Sequence, residues 1–189
     1  MPAAPIDTAD YDGRRTLIVG DVNTGKTRLT QAVLTAWTVQ GRSREIAVLD
    51  LAPEMRRGIG GRLSLPPAFQ GVYRTATLVP PRLQADSEEA AEDLAAANAT
   101  AIAPLMDATR RAPRPILIVN DATLFLQAGS YAELIAALDT CQTALINAYY
   151  GDSFPDYRLS RRERPLTQRL MAACHEVIRP TRRAATLPG

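Results

Sequence analysis

"LIVGDVNTGKTRLT" (residues 17–30) joins an apolar run to a helical pattern through one glycine, four further residues and then Gly-Lys-Thr. Gly20, Gly25, Lys26 and Thr27 fit the spacing G-x-x-x-x-G-K-[ST], and each position has a physical reason. Glycines let the backbone wrap closely around phosphate oxygens with its amides turned inward. Asp21, Val22, Asn23 and Thr24, together with Arg28 beyond the motif, complete the expected cradle. Lysine sets a compact point charge against the outer phosphates. The threonine hydroxyl suits Mg²⁺, and the helix that follows directs its positive end at the anion.

The surroundings of the motif agree with it. Residues 15–19 are β-branched and apolar, as in a strand buried on both faces. Residues 28–40 read as a helix with Leu29, Val33, Ala36 and Trp37 on one face, stopped by Gly41. The chain holds 22 Lys plus Arg, and Lys26 is its sole lysine. Arginine's planar fork does not replace a point charge at this position.

The 189 residues suit one domain over residues 14–180, with loose tails at 1–13 and 181–189. Hydrophobic residues make up 46% but aromatics only 5%, so Leu, Ile, Val and Ala must fill the core. A net charge of +2 is too mild to argue for a nucleic-acid partner. No 18-residue apolar run predicts a membrane span, and the first residues lack the pattern of a signal peptide, so a cytoplasmic location is expected. Cys141 and Cys174 lack metal-ligand spacing and read as packing residues, although Cys174 adjoins the single histidine, His175.

Strand and helix patterns alternate, which predicts an α/β fold with a mostly parallel sheet of about six or seven strands between helical layers. Strands are expected at 45–50, within 72–81, at 116–119, at 143–148 and at 176–180. Asp86 and Glu89 form a capping-box pattern opening a long alanine-rich helix that Pro104 should kink or restart. Further helices are expected near 131–139 and over 160–175.

Ligands of open parallel sheets sit beyond the carboxyl ends of the strands. Asp121 follows the apolar run "ILIVN", a Walker B pattern, where a carboxylate can hold Mg²⁺. Asp50 ends the second strand and is a second candidate for Mg²⁺ or for positioning water. Asn147 ends the fifth, where its amide can read a base, and Tyr149 and Tyr150 can stack on one. Gly58, Gly60 and Gly61 suggest a mobile loop within 56–77, and Arg56, Arg57 or Arg62 can reach the γ-phosphate from it.

"GDVNTGKTRLT", a helix, a strand ending "VLDLAPE" and then "TALINAYYG" and "EVIRP" resemble the SIMIBI class of P-loop NTPases. That class includes MinD-like ATPases, dethiobiotin synthetase and the molybdopterin-guanine dinucleotide accessory protein. The resemblance covers residues 14–180 in layout and is specific only at the P-loop. It implies a three-layer P-loop fold, a Mg²⁺ and water site at Asp50, a base-contacting Asn147 and a nucleotide-controlled dimer. The chain departs from it in three places. Asp21 stands where the MinD-like group has an extra lysine, Asp121 does not begin D-x-x-G, and Asn147 is not followed by Lys and Asp. The last departure favours ATP over GTP.

Three functions fit. The first is a Mg²⁺-dependent NTPase that acts as a switch or accessory factor, as a homodimer or with a partner protein, in cofactor or enzyme maturation. The second is an ATP-dependent kinase or ligase acting on a small molecule, with an acceptor site in 56–77. The third is a non-catalytic nucleotide-binding interaction protein.

Overall fold

The computed structural model describes residues 6–54, 61–154 and 156–180. Six apolar segments form one sheet of parallel strands: β1 (Arg15–Gly20), β2 (Ile46–Asp50), β3 (Val72–Thr75), β4 (Ile116–Asn120), β5 (Thr143–Tyr149) and β6 (Glu176–Ile178). Their order is β3-β2-β4-β5-β1-β6. The four central strands are buried almost throughout, which is why their sequences read as continuous apolar runs rather than alternating ones.

Alternate side chains feed two cores. On one face Ile18, Val48, Ile118 and Leu145 pack under Val33, Leu34 and Trp37 of α1 (Lys26–Val39). On the other, Val19, Leu49, Val119 and Ile146 pack against α3 (Glu88–Arg111), α4 (Ala122–Leu126), α5 (Tyr131–Leu138) and α6 (Arg158–Ala172). The result is the three-layer α/β arrangement, with every strand's carboxyl end on one rim.

Several expectations change. Residues 6–13 are not a loose tail: Thr8–Asp10 form a helical turn, and Tyr11 is buried edge-on against Trp37, 6.1 Å between ring centres. Residues 1–5 and 181–189 lie outside the described residues. The long helix is capped by Ser87 rather than Asp86, its hydroxyl accepting from Ala90 N at 3.1 Å, and it runs through Pro104 as one helix. Glu88 and Glu89 in its first turn and Arg110 and Arg111 in its last complement the helix dipole. β3 covers only Val72–Thr75. The chain after it is fastened to α3 by Asn98, whose amide donates to Val79 O (2.8 Å) and accepts from Val79 N (3.1 Å). That clasp brings the short helix α2 (Pro81–Gln84) over the strand ends. No helix among the described residues is long and apolar enough to cross a membrane.

Candidate functional site

β1 ends at Gly20, and the 21–25 loop delivers the chain into α1. The turn uses two left-handed residues, Asn23 (φ 56°) and Gly25 (φ 91°), the second of them the helix N-cap. Asparagine and glycine are the residue types that tolerate this conformation. Gly20 is needed for space, since a Cβ there would lie 2.7 Å from Thr24 Oγ1. Thr24 Oγ1 and Lys26 Nζ both donate to Asp21 O, at 2.9 and 2.6 Å, so the lysine folds back over its own loop. Burial lowers the Lys26 pKa, and the nearby Asp121 and Asp21 carboxylates oppose that fall. Val22, Asn23, Gly25, Lys26, Thr27 and Arg28 line one side of a cavity of about 350 Å³.

Asp21 does a different job from its neighbours in the motif. Its carboxylate accepts from Val22 N (2.7 Å) and Asp152 N (3.4 Å), which docks the β5–α6 connection onto the loop. Gly151 permits that approach, because a Cβ there would meet Asp21 Cγ at 2.4 Å and Asp21 Cα at 2.7 Å. Burial pushes the Asp21 pKa up, but hydrogen bonds from the Ser153 side chain and from backbone amides outweigh it and hold the group below its ordinary value.

A layer of buried polar side chains lies at the strand ends. Asp50 is fully buried, with Oδ1 accepting from Asn120 Nδ2 (2.7 Å) and Ala52 N (3.3 Å), and Oδ2 from Leu63 N (2.7 Å) and Tyr73 OH (3.0 Å). Asn120 Oδ1 accepts from Asn147 Nδ2 (2.7 Å), which also donates to Thr30 Oγ1 on α1 (2.9 Å). Asn147 Oδ1 accepts from Asp121 N (2.8 Å). This network bears on two expected roles. Asp50 has four protein donors on its two oxygens and does not line the cavity, so it is a structural acceptor rather than a metal ligand. Asn147 borders the cavity with both amide protons given to Thr30 and Asn120, so the second lone pair of its Oδ1 is what remains to it for a ligand.

Asp121 is the carboxylate that reaches the site. It stands in the left-handed region (φ 59°, ψ 58°) between β4 and α4 and lines the same cavity as Lys26 and Thr27. Aspartate, like asparagine, is among the few non-glycine residues that adopt this conformation readily. Burial pushes its carboxyl up to about 6; the Lys26 cation pulls against that rise, Asp50 adds to it, and Arg82 opposes it. For Mg²⁺, the donor set fits. Thr27 and Asp121 offer hard oxygen atoms across one cavity, and Mg²⁺ takes only one or two protein ligands when phosphate and water supply the rest. No cluster of three or more His, Cys, Asp or Glu suited to a metal occurs among the described residues.

The far wall was not foreseen. Arg82 on α2 forms a buried ion pair with Glu163 of α6 (5% and 4% exposed), donates to Ser160 Oγ (3.1 Å), and lies over the rings of Tyr149 and Phe154, 5.5 and 5.1 Å from their centres. Glu163 also accepts from Gln127 Nε2 (3.0 Å). Pro81 at the first turn of a helix was the one available signal for α2. Arg62 donates to Ala76 O (2.9 Å) and does not line the cavity. Gly61 lines it, while Arg56, Arg57, Gly58 and Gly60 lie outside the described residues. Burial raises both cysteine thiols to about 11, and His175 Nδ1 accepts from Arg15 N (2.9 Å) at the β1–β6 edge.

No family model matches the chain, and no curated protein matches it. Among solved structures it is similar to the flagellar accessory protein FlaH from Methanocaldococcus jannaschii, at 11% identity and a TM-score of 0.47 over 94% of this chain and 77% of that one. It is also similar to a prototypical ATPase from the type III secretion system of pathogenic bacteria, at 15% identity and 0.49, over 90% of this chain. It spans 52% of the latter's length. Both likenesses concern the course of the chain and nothing finer.

Proposed function

We propose that the protein binds a nucleoside triphosphate with Mg²⁺ and hydrolyses it. The observation that supports this most is the meeting of Lys26, Thr27 and Asp121 on one cavity, at the mouth of a strand–loop–helix cradle. The amides at the start of α1 have no partners within the helix and suit phosphate oxygens. On binding, Lys26 exchanges its bond to Asp21 O for the phosphates. Thr27 and Asp121 would hold Mg²⁺, directly or through water, and the chemistry the ion would supply is neutralising charge at the γ-phosphate.

We favour ATP, and with it a switch or accessory role in the cytoplasm as a nucleotide-controlled dimer. The Asp21 contact to the β5–α6 connection supports a switch, since it ties a second loop to the phosphate cradle. The SIMIBI resemblance is not carried to residue level, because its two specific implications fall on Asp50 and Asn147, whose polar atoms are engaged within the protein. Calorimetry on Lys26→Ala tests the core of the proposal. Charge-assisted contacts of about 1.5–3 kcal/mol each predict at least tenfold weaker ATP binding. Unchanged ATP and GTP affinities would refute it, and equal mass by light scattering with and without a non-hydrolysable triphosphate would remove the dimer.

A further inference from the structure

We infer that Arg164, on α6 and not among the residues lining the cavity beside Lys26, is a positioning residue for nucleotide binding, acting on the phosphate loop through the β5–α6 connection and the Asp21 carboxylate. This rests on the nucleotide reading above.

Asp21 ties two parts of the molecule together. Its carbonyl oxygen accepts from Thr24 Oγ1 and Lys26 Nζ, which closes the turn of the phosphate loop. Its carboxylate accepts from Val22 N inside that loop, and from Asp152 N and the Ser153 side chain in the connection. The bond from Asp152 N is long, at 3.4 Å, so the packing beside it matters as much: Gly151 lies flat against Asp21, where a Cβ would come within 2.4 Å of Cγ. Tyr150 N donates to Gly20 O (3.0 Å), next to Asp21 in the chain. Residues 150–153 thus brace the start of the phosphate loop.

Packing alone does not hold that brace. Tyr150, Gly151 and Asp152 border a second cavity of about 390 Å³, which they share with Ser160, Glu163 and Arg164 of α6. The ties to α6 are polar. One nitrogen, Arg164 Nη2, donates to Gly151 O (2.8 Å) and to Asp152 Oδ1 (2.6 Å). The same guanidinium lies over the Tyr150 ring, 5.2 Å from its centre, and Gln168 Nε2 donates to Tyr150 OH (2.9 Å). Arg164 therefore touches three successive residues, and these are the ones that meet Gly20 and Asp21.

The size of the effect is bounded. The Arg164 and Asp152 side chains are 45% and 91% exposed, and an exposed ion pair contributes little by itself. What Arg164 adds is the share of time the brace spends docked. A ligand that needs the loop in one shape loses affinity in proportion to that share, so docking about one-fifth of the time gives about fivefold weaker binding.

The test is calorimetry on the full chain with Mg²⁺ and a non-hydrolysable ATP analogue, run as a double-mutant cycle. Arg164→Ala should bind the analogue about three- to tenfold more weakly, with faster hydrogen exchange at residues 150–153. Arg164→Lys should return affinity to within about twofold of wild type, because one nitrogen makes both hydrogen bonds and an ammonium can stand in for it. Asp21→Asn should also weaken binding, since its amide sets a donor among the donors that the carboxylate now accepts. In that background Arg164→Ala should change affinity by less than about 1.5-fold, as expected of two groups acting through one contact. A general effect of the lost cation on an anionic ligand would persist there instead. Unchanged affinity or exchange in Arg164→Ala, no recovery with lysine, or effects that multiply in the double variant would overturn the inference. Nucleotide binding indifferent to Arg164 sinks this inference alone, whereas a wild type that binds no nucleotide removes the parent reading as well.

Discussion

Replacing Asp121 by asparagine is expected to stabilise the nucleotide-free protein while stopping turnover. The carboxyl's rise from an ordinary 3.8 to about 6 means that folding works against its ionised form. At about 1.4 kcal/mol for each tenfold step in affinity for the proton, the ionised carboxylate costs up to ~3 kcal/mol. Its opening to the cavity reduces that toward ~1 kcal/mol. The sign follows from linkage. Below about pH 4 both folded and unfolded states carry the proton and the wild type bears no penalty. Between about 4 and 6 only the folded state carries it, so stability falls as pH rises, and above about 6 the loss is complete. Lys26 and Arg82, which face the group, reduce the penalty, and Asp50 enlarges it. Asparagine keeps the shape, tolerates the left-handed backbone and carries no charge. Thermal unfolding without nucleotide should place the variant roughly 3–10 °C above wild type at pH 8, by the usual scaling for a chain of this size. The two should converge near pH 4. A variant no more stable at pH 8, or one whose advantage persists at pH 4, would refute the reasoning.

Other substitutions separate structural from chemical roles. Asp50→Asn should cost about 3 kcal/mol in urea unfolding, because one donor must then face another, yet leave the folded protein's nucleotide affinity within a few-fold of wild type. Loss of Mg²⁺-dependent binding without loss of stability would restore Asp50 to the metal site. Gly151→Ala forces a Cβ into Asp21 and should cost about 1–3 kcal/mol, accompanied by faster hydrogen exchange at 150–154; unchanged exchange would contradict the docking described. Glu163→Leu should destabilise by about 3–5 kcal/mol by stranding Arg82, and Arg82→Met in the same chain should recover most of that; a double variant as weak as the single would mean the ion pair is not the unit involved.

The strand–loop–helix core was legible because it is local: apolar run, glycine spacing, lysine and helix follow in order within 26 residues, 15–40. The parallel sheet was legible from continuous apolar runs, whose burial on both faces leaves no alternation to misread. The polar residues Asp50 and Asn120-Asp121 at strand ends, and Asn147 two residues before the end of β5, were visible too, but not what each faces. A polar residue at a strand end looks the same whether it meets a ligand or another buried side chain. Here Asp50 and Asn147 meet protein, and Asp121, one residue beyond the strand, meets the cavity. The Arg82 wall was illegible because it depends on a clasp between Val79 and Asn98 and on an ion pair spanning 81 residues.

The buried polar layer accounts for how Asp121 is held. Its amide is fixed by Asn147 Oδ1, and Asn147 is fixed in turn by Asn120 and by Thr30 of α1. Thr30 Oγ1 donates back to Lys26 O (3.1 Å), so the chain of bonds that begins at Asp50 ends in the first turn of the phosphate-binding helix. Each member is satisfied by another, the condition under which a buried polar network rigidifies rather than weakens a core. Asp121 and Lys26 are thus set against each other by a shared scaffold rather than by their mutual attraction. An ion pair alone would collapse the cavity and neutralise the lysine. Holding both groups apart from below leaves Lys26, among the described residues, bonded to a loop carbonyl and Asp121 open to the cavity, an arrangement that suits a triphosphate and its metal ion.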